Sequence, residues 1–350
     1  MTVSAAALHK GTSEMEPPEY SIEVEGLRKK YNAFTAVHDL SFKVRPGEVI
    51  GFLGPNGAGK STTMRILCGL LEGTAGLVRV CGIPVASDPV AAKGHIGYMP
   101  EHNPLPDDMR VGEYLRFRAS LKGLSGRRHR QRVKTVMDQC DLARTAQHKI
   151  IGTLSKGFRQ RVGIADALLA EPDVVIMDEP TIGLDPHQIL QIRELIRSLK
   201  GRHTVIISSH ILPEIEAVCD RVLIINQGLL VASGTPDELR REFMAGDRYQ
   251  LCVVEGIEES QRVIGDIDPD AIVERVPAPI ESGVIWSIVT RQGPDFGERL
   301  LDALRHAGVR TRHLHPVQPT LEAIFLQATR RAWDAEGTAG NKGARALKEQ

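Results

Sequence analysis

Apolar positions follow two different spacings along the first two-thirds of the chain. Between about residues 21 and 243, short runs rich in β-branched residues are separated by stretches whose apolar residues recur with helical spacing. This alternation is typical of a mostly parallel sheet covered by helices, and we therefore expect an α/β core. The clearest strand candidates are the segments SIEVEGL, GEVIGFL, DVVIMD, HTVIISS and RVLIIN.

Strand patterns disappear between about residues 103 and 163. Segments with helical periodicity, among them VGEYLRFRASLKGL and RQRVKTVMDQCDL, take their place,. We expect this part of the chain to be a helical subdomain inserted into the α/β core.

The pattern changes again after GTPDELRREF. The segments YQLCVVE, AIVERV and VIWSIVT have the composition of strands, and a helix, a short strand and a last helix are predicted to follow,. We expect residues 244–331 to form a small α+β appendage, whose sequence has no recognisable phosphate-binding or metal-binding pattern. The residues predicted on the apolar faces of its two helices are Phe296, Leu300, Leu301 and Leu304, and Leu321, Ile324 and Phe325.

The two remaining segments, residues 1–20 and 332–350, are polar, rich in Gly and Ala, and aperiodic, which predicts disorder,. The first of them lacks an apolar core long enough for a signal peptide, and no apolar stretch approaches the ~18 residues that span a bilayer. The five cysteines are odd in number and show no CxxC spacing, as expected for reduced thiols,. We therefore expect a cytoplasmic protein.

Length and charge narrow the class of protein only slightly. A chain of 350 residues is long enough for about two domains, each with its own core,. The 44 Lys and Arg residues balance the 44 Asp and Glu residues, so that the net charge gives no reason to expect nucleic acid as a partner,.

The strongest chemical signal is the segment GFLGPNGAGKSTTM. It matches the phosphate-binding pattern G-x-x-x-x-G-K-[ST] and stands between an apolar strand and a helical segment, the context that this motif requires,. The glycines allow backbone N–H groups to surround phosphates, Lys60 adds a positive charge, and the Ser61 hydroxyl is suited to Mg²⁺. The predicted nucleotide-binding residues of this loop are Asn56, Gly57, Ala58, Gly59, Lys60, Ser61 and Thr62.

Two neighbouring acids end the apolar segment VVIMDE. Asp178 is placed to hold Mg²⁺ through its water shell, and Glu179 is placed to orient an attacking water, because phosphoryl transfer depends on a positioned nucleophile and on charge compensation. A phosphate-binding loop alone would fit a kinase, a GTPase or a motor ATPase. The acids favour water as the acceptor, so that Glu179 is the predicted catalytic base.

Further motifs follow in a fixed order: LRKKYNAF, the phosphate-binding loop, IGYMPE, LSKGFRQ, VVIMDEP, GLDP and TVIISSH. This order resembles the nucleotide-binding subunit of ABC transporters. The resemblance implies a P-loop ATPase core in which an antiparallel β portion accompanies the mostly parallel sheet, and it implies ATP and Mg²⁺ as ligands.

The resemblance also assigns roles to single residues. Tyr31 would stack on adenine, His210 would be the switch histidine, and Lys60 and Glu179 complete the predicted catalytic set. Glu101 stands where the family's loop for sensing γ-phosphate and metal usually carries Gln. A carboxylate near phosphates repels them unless Mg²⁺ or another nearby cation compensates its charge, so Glu101 is a candidate metal ligand beside Ser61 and Asp178.

The segment LSKGFRQ stands in place of the family's signature motif. The resemblance implies that two subunits pack head to tail and that the signature of each caps the γ-phosphate bound to the other. The residues in these roles are Ser155, Lys156 and Gly157, with Asp185 of GLDP in a loop at the dimer interface. Lys156 and Phe158 depart from the Gly and Gln of the consensus.

The resemblance extends to one branch of the family, the exporters whose permease is a separate six-helix polypeptide, including gliding-motility, multidrug and polysaccharide exporters. LSKG and the segment TLEAIFLQAT carry this likeness. It implies two partners: a second copy of the chain or a related ATPase subunit, and an integral membrane permease, with no nucleic acid. The subunit would then be peripheral on the cytoplasmic face of the inner (plasma) membrane, where EHNPLPDDMRVGEYL would receive a coupling helix of the permease.

The alternative is a soluble ABC-type mechanical ATPase without a permease. A DNA-repair ATPase of this kind would separate the phosphate-binding loop and the signature by a long coiled coil, whereas the intervening segment here has no sustained heptads. A translation-type protein would carry two nucleotide domains in one chain, whereas this chain has a single phosphate-binding loop.

Overall fold

The chain divides into two compact units, Met1–Val231 and Ala232–Gln350, which we call the first and the second unit. This division falls within a strand, ahead of the boundary at residue 243 that the sequence suggests. Except for residues 18–20, the ends predicted to be disordered lie outside the described part of the chain. The computed structural model describes residues 18–243, 246–276, 283–293, 295–317 and 322–328.

The first unit combines a parallel sheet, an antiparallel sheet and a group of helices. In chain order its elements are β1 (Ile22–Tyr31), β2 (Phe34–Val44), β3 (Val49–Leu53), α1 (Lys60–Leu67), β4 (Ala75–Val80), β5 (Ile83–Pro84), α2 (Pro89–Gly94), β6 (Ile96–Met99), α3 (Val111–Leu121), α4 (Gly126–Gln139), α5 (Lys156–Leu168), β7 (Val174–Asp178), α6 (Pro186–Leu199), β8 (Thr204–Ser209), α7 (Leu212–Glu216), β9 (Arg221–Asn226) and β10 (Leu229–Gly234).

Six strands form the larger sheet, in the order β10-β9-β3-β8-β7-β6. The pairs β3/β8, β3/β9, β7/β8 and β6/β7 are parallel. Every residue of β3, β7 and β8 is buried, because helices cover both faces of a parallel sheet, and their sequences are accordingly mostly apolar, with polar residues only at the strand ends. The carboxyl ends of these strands meet at one edge, where α/β proteins bind their ligands.

The second sheet of this unit has the order β2-β1-β4-β5 and is antiparallel. The segment SIEVEGL therefore does not belong to the parallel sheet with which the sequence analysis grouped it. Apolar side chains of both sheets form one core cluster, in which the ring centroids of Phe42 and Phe52 lie 5.8 Å apart.

Helices α3, α4 and α5 pack against one another. Asp166 of α5 joins this helix to α3, since its carboxylate accepts hydrogen bonds from Tyr114 Oη (3.1 Å) and Arg118 Nε (3.0 Å) and lies 3.6 Å from Lys122 Nζ. The predicted helical subdomain, residues 103–163, contains α3, α4 and the first part of α5, which continues to Leu168.

The second unit has an antiparallel sheet with the strand order β12-β13-β11-β14. Across the described ranges of the whole chain, no helix is both long and apolar enough to cross a membrane. In chain order the elements of this unit are α8 (Pro236–Phe243), β11 (Asp247–Glu255), α9 (Ile257–Ile267), β12 (Ile272–Val276), β13 (Val284–Thr290), α10 (Phe296–His306) and β14 (Arg310–Pro316), and residues 322–328 are helical.

The second unit differs from the expectation in two ways. Helix α9 was not predicted. Leu301 was placed on the apolar face of α10, but its exposed fraction is 41 %, whereas Phe296, Leu300 and Leu304 are buried. Leu301 follows Leu300 directly, and the rotation of about 100° per helical residue turns it away from the sheet.

The last predicted helix is described only in part. Leu321 lies outside the described residues, Ile324 is buried and Phe325 is half-buried.

Candidate functional site

The phosphate-binding loop joins the carboxyl end of β3 to the start of α1. Gly57 and Gly59 have φ of 81° and 98°, a region that favours glycine,. A Cβ on Gly59 would lie only 2.5 Å from the carbonyl oxygen of Ala36. Lys60, the first residue of α1, is folded back so that its Nζ donates to Gly54 O at 2.7 Å. The N–H groups at the beginning of α1 have no intrahelical acceptor, as at any helix start, and this arrangement suits an anion.

The two acids lie at the end of β7, beside the end of β8. Asp178 and Glu179 are 2 % and 6 % exposed. The Ser208 hydroxyl of β8 donates to Asp178 Oδ1 and accepts from the Glu179 backbone N–H, the latter at 2.9 Å. Glu179 has a φ of 50°, a conformation that is unusual for a residue other than Gly, Asn or Asp and that is concentrated at functional sites.

Glu179 contacts the two other predicted catalytic residues. Its Oε1 lies 3.7 Å from Lys60 Nζ, and its Oε2 lies 2.9 Å from His210 Nδ1. Burial lowers the pKa of Lys60, and the carboxylates of Glu179, Asp178 and Glu101 oppose this decrease without cancelling it. A phosphate group would add the negative charge that favours the protonated lysine.

A cavity of about 510 Å³ opens in front of the phosphate-binding loop. It brings together residues that the sequence placed in separate motifs. The predicted residues in its lining are Tyr31, Asn56, Gly57, Ala58, Gly59, Lys60, Ser61, Thr62, Glu101, Glu179 and His210.

The mouth of this cavity carries an aromatic pair. A two-residue turn at Asn32 and Ala33 joins β1 to β2, so that Tyr31 and Phe34 lie directly opposite each other. Their exposed fractions are 42 % and 63 %, which is unusual for aromatic rings and leaves both available to a flat ligand. Phe34 and Ser208 were not predicted from the sequence. The short separation between Tyr31 and Phe34 in the segment YNAF was the one sequence signal that could have placed Phe34 at the cavity.

A second cavity, of about 500 Å³, lies beside the first. Asp178 lines this second cavity, and Glu101 lines both. The second cavity extends along the helices, where Tyr114, Arg118 and Asp166 form part of its wall.

The signature residues lie apart from the phosphate-binding loop. Ser155 and Lys156 are exposed at the start of α5. Gly157 is buried, and a Cβ there would lie 2.7 Å from the side chain of Gln188. Asp185 accepts from the Gln188 N–H at 2.9 Å and thereby caps α6. The lining of the first cavity, as far as the structure describes it, includes neither residues 155–157 nor Asp185.

Comparison with known proteins identifies the family to which the chain belongs. The family model described as "ABC transporter" matches residues 37–182, and a second model, of an AAA domain, matches residues 150–215. The linearmycin resistance ATP-binding protein LnrL of Bacillus subtilis (strain 168) is 33 % identical over 317 residues, which are 89 % of this chain and 98 % of that protein. The chain belongs to the ABC transporter ATP-binding proteins.

Other ABC transporter ATP-binding proteins show the same likeness. The Nod factor export ATP-binding protein I of Ralstonia nicotianae (strain ATCC BAA-1114 / GMI1000) is 38 % identical over 89 % of this chain and 94 % of its own length. The ATP-binding protein YbhF of Escherichia coli (strain K12) is also 38 % identical, over 68 % of this chain, but the match spans only 40 % of YbhF.

Solved structures of ABC ATP-binding subunits share the fold. One structure of an ATP-binding subunit of an ABC transporter has a TM-score of 0.58 and 34 % identity, and the match covers 63 % of this chain and 92 % of that one. The predicted family, the α/β fold class and the assignment as an ABC-type ATPase subunit are thereby confirmed. The comparisons favour the transporter subunit over a soluble translation or DNA-repair ATPase.

Proposed function

We propose that this chain hydrolyses ATP as one half of a head-to-tail dimer and that hydrolysis drives transport through a separate membrane permease. One observation carries the proposal. The cavity at the phosphate-binding loop contains Lys60, Glu179 and His210, but its lining, as described, lacks the signature residues. Each site is then completed by the signature of the other subunit.

ATP fits the two halves of the cavity. Tyr31 and Phe34 offer exposed rings to adenine, and stacking of a base on an aromatic side chain contributes roughly 1–3 kcal/mol. The triphosphate would lie in the phosphate-binding loop, where Lys60 faces it together with the backbone N–H groups of residues 57–62. The adenine-binding residues thus lie on β1 and β2, and the phosphate-binding residues lie after β3.

The reaction is attack of a water oxygen on the γ-phosphorus, with cleavage of the bond to the oxygen that bridges the β- and γ-phosphates. Glu179 orients this water and accepts its proton, and the products are ADP and inorganic phosphate. His210, bonded to Glu179 at 2.9 Å, holds the carboxylate in position. Lys60 stabilises the negative charge on the phosphates.

The residues present also fit Mg²⁺, which prefers oxygen ligands. The Ser61 hydroxyl and the Asp178 carboxylate would hold the ion, and Glu101 is a further carboxylate near the same place. When bound, the ion would neutralise part of the phosphate charge.

The partner subunit would be a second copy of this chain or a related ATPase. Ser155 and Lys156 are exposed and can reach a phosphate bound to another subunit. The buried backbone of Gly157 lies against Gln188. The signature residues and the loop that carries Asp185 therefore form one surface.

The permease would dock at the cavity lined by Glu101 and Asp166. The subunit would thereby be held on the cytoplasmic face of the inner (plasma) membrane. Export is the favoured direction, because relatives that align over nearly their whole length are named for drug resistance and for Nod factor export. No nucleic acid is required by any part of this proposal.

Mixed dimers test the shared sites. Lys60→Ala removes the charge at the phosphates, and Ser155→Arg places a bulky cation where the partner's γ-phosphate would be capped. Each variant alone should occlude no ATP. A heterodimer of the two variants, isolated through two different affinity tags, places both lesions in one site and leaves the other intact. Occluded nucleotide should return to at most half of the wild-type amount.

A matched control uses the same two lesions in one chain. A heterodimer of the double variant with the wild type has one lesion in each composite site and should occlude nothing. If each chain used its own signature, the two results would be exchanged: the first heterodimer would be empty and the second half-occupied. That exchange would refute the proposed arrangement.

A further inference from the structure

Three side chains of different chemistry meet at the amino-terminal edge of the parallel sheet: Cys81, His95 and Asp173. His95 directly precedes β6, and Asp173 directly precedes β7. Because Ile96 lies opposite Val174 in the parallel pairing of these strands, the two preceding residues are neighbours. Cys81 reaches the same place from the turn between β4 and β5.

The donor atoms of the three residues are close together. A thiol sulfur, an imidazole nitrogen and a carboxylate oxygen all lie within 4.8 Å of one another. His95 Nδ1 is 2.6 Å from Asp173 Oδ2. In a tetrahedral zinc site, bond lengths of about 2.0–2.3 Å place neighbouring donors about 3.3–3.7 Å apart. Small side-chain rotations are therefore enough to convert this cluster into a coordination site.

The turn that carries Cys81 does not favour a cysteine. Val80 pairs with Ile83, so that Cys81 and Gly82 form a two-residue turn, and their φ values are 49° and 78°. Two-residue turns with positive φ at both positions strongly prefer Asn, Asp or Gly at the first. Local conformation therefore gives no reason for a cysteine at this position. Binding of a metal ion by the thiol would give one.

We infer that Cys81, His95 and Asp173 bind a divalent transition-metal ion of the Zn²⁺ class, with a fourth position open to water. Thiolate and imidazole ligands select such an ion over Mg²⁺, which prefers oxygen ligands only. The site is distinct from the nucleotide site. Asp173 and Asp178 lie at opposite ends of β7, five residues apart, which is roughly 16 Å along a strand.

The ion would cross-link three segments of the first unit. Cys81 belongs to the edge of the antiparallel sheet, and the other two ligands belong to neighbouring strands of the parallel sheet. Metal binding should therefore raise the melting temperature of the chain, because the ion binds the folded arrangement only.

Titration of the full chain with Co²⁺ in the absence of nucleotide tests the inference. One Co²⁺ per chain should give the charge-transfer band of a thiolate ligand and the visible bands of tetrahedral cobalt, and Zn²⁺ should displace it. Cys81→Asn is the sharpest variant, because Asn suits this turn and keeps the fold while removing the thiol. Zinc affinity, measured by competition with a chromophoric chelator, should fall more than about 100-fold, since even residues that only orient the ligands contribute 10–100-fold.

His95→Gln should cause a similar loss of affinity. The matched control is the double variant His313→Gln and His315→Gln, which removes the adjacent imidazoles of the second unit, whose ring centroids lie 5.2 Å apart. This control should keep the cobalt band and the zinc-dependent rise in melting temperature. Absence of the band in the wild type, its persistence in Cys81→Asn, or its loss in the control would each overturn the inference.

Discussion

Replacing Glu179 by Gln separates the charge of this residue from its shape. The amide can keep the contact of 2.9 Å with His210 Nδ1 and the position 3.7 Å from Lys60 Nζ. It cannot accept a proton from water. Loss of a general base typically lowers the rate about 10²–10⁴-fold, which corresponds to about 2.7–5.4 kcal/mol in activation free energy. We expect phosphate release in single-turnover experiments to slow by this factor.

ATP binding should survive the same substitution and become tighter. In the wild type, the phosphates compete with Glu179 for the ammonium group of Lys60, and the variant removes this competitor. The free energy of unfolding should fall by less than the roughly 3–5 kcal/mol that follows when a buried ion pair is broken, because Asp178 and Glu101 still act on Lys60. A fluorescent ATP analogue reports binding, and light scattering should show an ATP-bound dimer that persists.

Glu214→Gln is the matched control. Glu214 is also a buried glutamate, bonded to Thr181 Oγ1, but it does not line the nucleotide cavity. Its substitution should leave phosphate release within a few-fold of the wild type. Phosphate release at the wild-type rate by Glu179→Gln, or an equally large loss in the control, would refute the assignment of the base.

Two further predictions concern the ligand and the core. Tyr31→Ala and Phe34→Ala should each weaken ATP binding by roughly 1–3 kcal/mol, the range for a base stacked on an aromatic ring; titration with the fluorescent analogue measures this, and an unchanged affinity in the double variant would contradict the stacking role. Leu300→Ala should lower the free energy of unfolding of the second unit by about 2–5 kcal/mol, whereas Leu301→Ala, at an exposed position, should cost about 0.5 kcal/mol or less. Denaturant unfolding compares the two, and equal losses would show that the assigned faces of α10 are wrong.

Elements with strong local signals could be predicted from the sequence. The central residues of β3, β7 and β8 are apolar because both faces of the sheet are buried, and such runs are visible without knowledge of the partner strands. The phosphate-binding loop could be predicted equally well, because the positive φ of Gly57 and Gly59 requires glycine at fixed positions,.

Residues that reach the site through pairing could not be predicted in this way. Phe34 lines the nucleotide cavity because the turn after Tyr31 has two residues, and this register sets the two rings opposite each other. Ser208 contacts both acids because β7 and β8 are neighbours with Asp178 opposite it. Neither pairing is visible in the sequence of one strand.

Helix α9 was missed for a different reason. It buries only Ser260, Val263 and Ile264, and one of these three is polar. Ile257, Val263, Ile264 and Ile267 nevertheless recur with helical spacing, so the segment carried a periodic signal from which the helix could have been predicted,. Tertiary contacts such as the hydrogen bond from Trp286 Nε1 to Ser260 Oγ, at 3.0 Å, hold the helix against the sheet.

Glu101 belongs to the walls of two cavities at once. If the proposed permease segment enters the second cavity and displaces this carboxylate, the electrostatic potential at phosphates bound in the first cavity changes. By thermodynamic linkage, a bound nucleotide then alters the affinity for that segment by the same factor, commonly about 5–150-fold between coupled sites. A substitution at Glu101 should therefore change the effect of the nucleotide on binding of the segment and the effect of the segment on binding of the nucleotide by the same factor, so that neither of these two affinities can be adjusted alone.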